Sequence, residues 1–108
     1  MAKFEIKVAK DGQFYFNLKA GNGEVILSSE MYKAKASCEN GIASVKKNAA
    51  DEKKYDLKQA ANGKWHFNLK AGNGEIIGSS QMYASEATAK KGIASVQANA
   101  ADADVVEA

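Results

Sequence analysis

His66 is the only histidine and Cys38 the only cysteine among 108 residues, so the side chains that most readily carry protons or bind transition metals occur once each. A zinc site of the usual kind cannot be assembled from one of each. The chain repeats itself, and neither residue recurs in the other copy: His66 aligns with Tyr15 and Cys38 with Ala89. His66 is therefore expected to be an exposed strand residue and Cys38 a small buried hydrophobe. Ser28-Ser29 and Ser79-Ser80 have no partner base and read as strand-end or turn hydroxyls. Gly21-Asn22-Gly23 and Gly72-Asn73-Gly74 lack the lysine and hydroxyl that follow a phosphate loop, and they precede strand-like runs, so they read as hairpin turns. Glu24 and Glu75 would pair only if symmetry brought them together, and read as solvated turn positions. The inventory yields no catalytic residue, no metal ligand and no cofactor.

What recurs is polar rather than reactive, and the recurrence itself defines the architecture. From Phe4 the text FEIKVAKDGQFYFNLKAGNGEVILSSEMYKAKASCENGIASVKKNAAD returns from Tyr55 as YDLKQAANGKWHFNLKAGNGEIIGSSQMYASEATAKKGIASVQANAAD. At an offset of about 51 the copies agree at more than half of roughly 48 positions, without a gap. Each copy alone is near the size at which a core becomes marginal. Residues 1–108 are therefore expected to form a single domain of repeat 1 (4–51) packed on repeat 2 (55–102).

Within a copy the period is first two. Phe4, Ile6 and Val8 alternate with polar neighbours up to Asp11-Gly12, a pair suited to a tight turn. Phe14, Phe16, Leu18 and Ala20 then face one way, while Tyr15, Asn17 and Lys19 face the other. After the Gly21-Asn22-Gly23 turn, Glu24 to Ser29 makes a third short strand. Beyond Tyr32 the spacing becomes helical, with Cys38, Ile42, Val45 and Ala49 on one stripe, matched by Ala89, Ile93, Val96 and Ala100. Ser85-Glu86 suits a capped helix start. Each copy is β-β-β-α, and Val105-Val106 suits a last short strand. A second unchanged stripe holds Gly41, Ser44 and Asn48, repeated as Gly92, Ser95 and Asn99. A mid-helix glycine costs about 0.5 to 1 kcal/mol relative to alanine, so its recurrence predicts a close backbone approach. We expect that approach to be helix to helix or helix to sheet, across a pseudo-twofold axis between the repeats.

The motifs FNLKAGNGE, SSxMY and GIASV, each present twice, resemble the YegP-like family of small bacterial proteins, whose function is uncharacterised. The resemblance covers Phe4 to Asp102. It rests on Phe14, Asn17, Leu18, Lys19, Gly23, Tyr32, Gly41, Ile42 and Val45, and on Trp65, Asn68, Leu69, Lys70, Gly74, Tyr83, Gly92, Ile93 and Val96. It implies an α+β fold: units of three strands then a helix, used in tandem or as a dimer. These assemble into one antiparallel sheet with the helices on one face and exchange a terminal strand. Gly78 departs from the pattern, standing where the first copy has Leu27. No catalytic residue is implied.

Charge excludes little. With 15 basic and 13 acidic residues the net charge is +2, too balanced to argue by itself for nucleic acid or a membrane surface. The N-terminus lacks an apolar signal core, and no window approaches the roughly 18 apolar residues of a membrane span. A cytoplasmic protein is expected, in keeping with a single cysteine. If the helices cover the apolar face of the sheet, Lys7, Tyr15, Asn17 and Lys19 project from the other face with Lys58, His66, Asn68 and Lys70, and Glu5 and Asp56 share that face. Such a surface suits an anionic partner. The reading that follows is a non-enzymatic binding or interaction module, monomeric with an internal pseudo-dimer, whose partner is unknown. One alternative is a single-stranded nucleic-acid binder using those lysines and rings. The other is an enzyme acting on a small anionic substrate at the repeat interface, near Tyr32, Tyr83, Ser44 and Ser95.

Overall fold

Four hairpin turns punctuate the strands, and each uses the same device. Asp11, Asn22, Asn62 and Asn73 each accept a hydrogen bond on Oδ1 from the backbone N–H two residues on, at 3.0 Å. The glycine between them takes a positive φ of 84 to 86°, which an L side chain rarely adopts. The Gly-Asn-Gly segments are thus hairpin turns, as the sequence predicts. The computed structural model describes residues 2–107. In chain order these form β1 (Lys3–Val8), β2 (Phe14–Lys19), β3 (Val25–Ser28), α1 (Lys35–Asn48), a 3-10 turn (Glu52–Lys54), β4 (Tyr55–Gln59), β5 (Trp65–Lys70), β6 (Ile76–Ser79), α2 (Glu86–Asn99) and β7 (Asp104–Glu107).

All seven strands join one sheet in the order β4-β5-β6-β3-β2-β1-β7. The two repeats meet at β3 and β6, where Ser28 lies opposite Ser79, and the pseudo-twofold axis runs through this pair. The expected all-antiparallel sheet needs one correction: β7 runs parallel to β1, from Lys3 opposite Asp104 to Ile6 opposite Glu107. The cause is topological. β7 follows α2, so it arrives by a helical crossover rather than a hairpin, and the sheet is mixed. The strand holding Val105 and Val106 is therefore contributed by the end of repeat 2 to the edge of repeat 1, which is the exchange of a terminal strand.

Both helices pack on one face, α1 over β2, β5 and β6, and α2 over β3, β4 and β5. The alternation in β2 decides which side they cover: Phe16 and Leu18 are buried, while Tyr15, Asn17 and Lys19 are partly exposed on the other side. Phe4, Phe16, Leu18, Leu27 and Val45, with Phe67, Leu69 and Val96, form the fully enclosed core. Cys38 is buried in it, as expected. α2 starts with a capping box between Ser85 and Thr88, whereas Ala34 gives α1 no side-chain cap.

The two helix glycines do not meet across the axis. A Cβ on Gly41 would lie 2.5 Å from the Tyr32 hydroxyl oxygen and 3.1 Å from the Phe16 ring, and Gly92 faces Tyr83 and Phe67 in the same way. The close approach is real, but it is made by a tyrosine of the same repeat. Tyr32 and Tyr83 bridge back to Phe14 and Trp65 through the backbone, which lays their rings on the helix. Ser44 and Asn48 are likewise local: Asn48 Nδ2 donates to the Ser44 carbonyl at 2.8 Å, and Asn99 does the same to Ser95. Gly41 and Gly92 therefore pack against tyrosines of their own repeats, while Ser44, Asn48, Ser95 and Asn99 make hydrogen bonds within their own helices. The contact across the axis involves Gly78, whose added Cβ would stand 2.6 Å from Leu27 Cδ2. Leu27 fills the space that its own counterpart would need, so two leucines related by the axis would collide.

Candidate functional site

The sheet face opposite the helices holds the residues singled out from the sequence, in two separate groups. Pairing of β1 with β2 sets Glu5 opposite Asn17, Lys7 opposite Tyr15 and Lys3 opposite Lys19. Pairing of β4 with β5 sets Asp56 opposite Asn68 and Lys58 opposite His66. β3 and β6 stand between the groups, which keeps β2 and β5 about 14 Å apart at ordinary strand spacing. The structure thus assembles Lys7, Tyr15, Asn17 and Lys19 on one side and Lys58, His66, Asn68 and Lys70 on the other, and does not merge them.

Each group is organised around a carboxylate. Glu5, with a side chain 12% exposed, takes Lys19 at 2.9 Å, Lys3 at 3.5 Å and Lys7 at 3.8 Å. The hydrogen bond from Lys19 holds its carboxyl below the ordinary range, against the upward pull of desolvation. Asp56 takes Lys58 at 3.2 Å and Lys70 at 3.6 Å. Desolvation works upward there too, and the hydrogen bonds and charges of the two lysines outweigh it, so this carboxyl also lies below its ordinary value. The repeated asparagines are engaged as well. Asn17 Oδ1 accepts from Ser28 Oγ at 2.8 Å, and Asn68 Oδ1 from Ser79 Oγ at 2.7 Å. His66 is half-buried, and its Nδ1 is enclosed without a hydrogen-bond partner. Among the described residues no group of three metal-ligating side chains comes together.

On the axis lies a depression of about 280 Å³, lined by Ser28, Ser29 and Glu30 with Ser79, Ser80 and Gln81, and by Val25, Ile76 and Gly78. Its hydroxyl protons are already used. Ser28 and Ser79 donate to the asparagines, while Ser29 Oγ accepts from Phe16 N–H and donates to the Glu30 carbonyl, as Ser80 does with Phe67 and Gln81. Tyr32, Tyr83, Ser44 and Ser95 do not line it. Desolvation, with Glu30 nearby, pushes the Tyr32 hydroxyl above its ordinary pKa, which disfavours its ionised form. Burial likewise raises the Cys38 thiol, which leaves it protonated and unreactive.

A larger groove, about 400 Å³, was not anticipated from the sequence. It lies between β4 and α2 and is lined by Tyr55, Leu57, Ile93, Ala94, Gln97, Lys90 and Glu52. The sequence places Ile93 on a core stripe and aligns Tyr55 with Phe4, and nothing in their spacing tells that their neighbours leave them part-exposed. That depends on which strand covers which edge.

Fold and surface together define a tandem-repeat α+β protein in which two β-β-β-α units share one sheet and duplicate a polar framework. The profile of the family described as Domain of unknown function (DUF1508) matches residues 9–56 and again 60–107, and the chain belongs to that family. Its frame starts five residues later than repeats counted from 4 and 55 (9 − 4 and 60 − 55), so each family unit ends on the strand after its helix. The chain is 60% identical over 102 residues to a UPF0339 protein of Acinetobacter baylyi, covering 94% of this chain and 92% of that one. It is 58% identical over 96 residues to the UPF0339 protein YegP of Escherichia coli K12, covering 89% and 87%. A solution NMR structure of the E. coli YegP protein, of unknown function, superposes with a TM-score of 0.93 at 54% identity, covering 98% and 91% of the two chains. That of a UPF0339 protein from Shewanella oneidensis does so with the same score at 46% identity, covering 98% and 90%. No helix of the described residues is long and apolar enough to cross a membrane.

Proposed function

We propose that the chain is a non-enzymatic interaction module, acting as a monomer with an internal pseudo-dimer in a cytoplasmic setting. One observation carries the reading: the polar groups present in both copies are spent inside the fold. Ser28 and Ser79 hold Asn17 and Asn68, Ser29 and Ser80 close the β2 and β5 backbones, and Lys19 and Lys70 flank Glu5 and Asp56. Such groups build a frame, and a frame offers surface. The test is to incubate the protein with a small-molecule extract of bacterial cells, following turnover by mass spectrometry and binding by backbone amide NMR. Shifts without turnover are expected. Turnover lost on Ser29→Ala plus Ser80→Ala in a folded protein would establish instead the enzyme acting at the axis.

A second reading, an anionic partner such as single-stranded nucleic acid, is favoured by the lysine excess on the open face. Lys3, Lys7 and Lys19 surround Glu5, and Lys58 and Lys70 surround Asp56, leaving each cluster net positive beside Tyr15 or His66. Phosphate contacts release counterions, so binding would fall steeply with salt and with Lys19→Ala plus Lys70→Ala. Salt-independent binding would rule this reading out.

A further inference from the structure

We propose that the outer edge of β4, with the groove between β4 and α2, is an acceptor for one extended strand of a partner protein, docked parallel to β4 as β7 is docked on β1. The proposal rests on the interaction-module reading and narrows it to one site and one partner chemistry. β1 and β4 are counterparts: Phe4 stands edge-on to Phe16 at 5.7 Å between ring centroids, and Tyr55 to Phe67 at the same distance. β1 is covered on its outer side by β7, whereas β4 is the last strand of the sheet. The consequence is visible residue by residue. Phe4, Ile6 and Ile42 are 0%, 4% and 3% exposed, while their counterparts Tyr55, Leu57 and Ile93 are only partly buried and line the groove.

Connectivity explains the vacancy. The segment after α2 runs beside β1 as β7, but the corresponding segment after α1 becomes the 3-10 turn and β4 itself. The described chain thus has two acceptor edges and one donor strand, and trading β7 between copies leaves the number of vacant edges unchanged. An unpaired edge beside apolar side chains is the arrangement used for strand addition.

Charge selects a strand other than β7. In repeat 1 Val105 lies opposite Phe4 and Glu107 opposite Ile6, and Glu107 pairs with Lys35 at the start of α1. At the position of Lys35, α2 carries Glu86. Glu52 and Lys90, which also line the groove, offset each other. The strand that fits has a β-branched apolar residue opposite Tyr55 and a lysine or arginine opposite Leu57.

The test uses the intact chain and two synthetic peptides, one with the sequence of residues 101–107 and one carrying Glu107→Lys in that sequence. Backbone amide shifts and slowed hydrogen exchange at Tyr55–Gln59 and around Ile93 are expected with the lysine peptide, with affinity about two- to fivefold above the unchanged peptide. Ile93→Lys, at a position already partly exposed, is expected to abolish the shifts while leaving the rest of the spectrum in place. Three results would overturn the proposal: β4 amides unmoved by millimolar peptide, shifts confined to the β1 edge, or β4 amides already protected in a concentration-dependent dimer. The last would make a second copy the occupant. If the peptides fail while cell-extract fractions move other amides, the module reading survives without this site, and if neither moves any resonance, both fail.

Discussion

At one edge of the sheet β1 buries Phe4 and Ile6 with β7 alongside, and at the other β4 leaves Tyr55 and Leu57 partly open beside Ile93. The two edges come from copies of one sequence and share strand register, aromatic pairing and helix placement. Their difference teaches that duplication sets the unit while linkage in tandem breaks its symmetry. A second break lies on the axis, where Leu27 occupies the room that a side chain at Gly78 would need. One break seals the centre of the molecule, and the other leaves one end unsealed.

The largest expected effect comes from the axis. Leu27 is fully buried, so Leu27→Gly should cost about 2–5 kcal/mol through the cavity it leaves. Gly78→Leu should cost about 1–3 kcal/mol by overpacking. The double variant, with the two residues exchanged, places one leucine and one glycine in positions related by the pseudo-twofold axis and should recover most of the loss. Chemical denaturation of the three variants checks this, and a double variant as unstable as the sum of the singles would show that the axis does not act as an interchangeable pair.

The next effect concerns the edges. Ending the chain before Asp104 should make the β1 edge resemble the β4 edge. Val105 is 44% exposed, so the loss should be about 1–2 kcal/mol, with faster amide exchange across Lys3–Val8 and little change at Tyr55–Gln59. Equal acceleration at both edges would mean that β7 supports the whole sheet rather than one side of it.

Much of this could be read from the residues alone. The alternation in FYFNLK and the Asn-Gly and Asp-Gly turns specify strands and hairpins locally, and the Cys38, Ile42, Val45, Ala49 stripe specifies a helix. The partner of β7 could not be read, because a four-residue strand with Val105-Val106 in its middle carries no mark of direction or neighbour. The parallel pairing is a consequence of where α2 ends. Gly41 is a related case: its recurrence shows that something approaches closely, and only the fold shows that Tyr32 does. The candidate face was legible as a face, since period two places Lys7, Tyr15, Asn17 and Lys19 together. Its division into two groups was not, because strand order is set by the join of β3 to β6.

Gly41 offers a smaller test, in which the sign matters more than the size. Alanine gains about 0.5–1 kcal/mol of helix propensity over glycine and loses about 1–3 kcal/mol against the Tyr32 ring, so Gly41→Ala should destabilise by about 1 kcal/mol net. In a Tyr32→Ala background the nearest obstacle is gone and the Phe16 ring, 3.1 Å from the added Cβ, has room to give, so the same substitution should become stabilising. Gly92→Ala with Tyr83→Ala should repeat the reversal, because this contact lies within each repeat and not between them.

The smallest effect separates the two lysine clusters. Glu5 and Asp56 both have carboxyl pKa values below their ordinary 4.5 and 3.8. A depressed folded-state pKa means that the unfolded chain takes up the proton first as pH falls. The stability each pair contributes is therefore complete above those ordinary values and is lost as pH drops through the lowered ones. Three lysines face Glu5 and two face Asp56, so Lys19→Ala should raise the Glu5 midpoint and leave Asp56 unmoved across the sheet. Side-chain carboxyl NMR over the acid range measures both midpoints in one sample. A shift at both would mean that the clusters act as one electrostatic surface, the arrangement a single anionic partner spanning the face would require, and a shift at Glu5 alone would keep the two halves of the face independent.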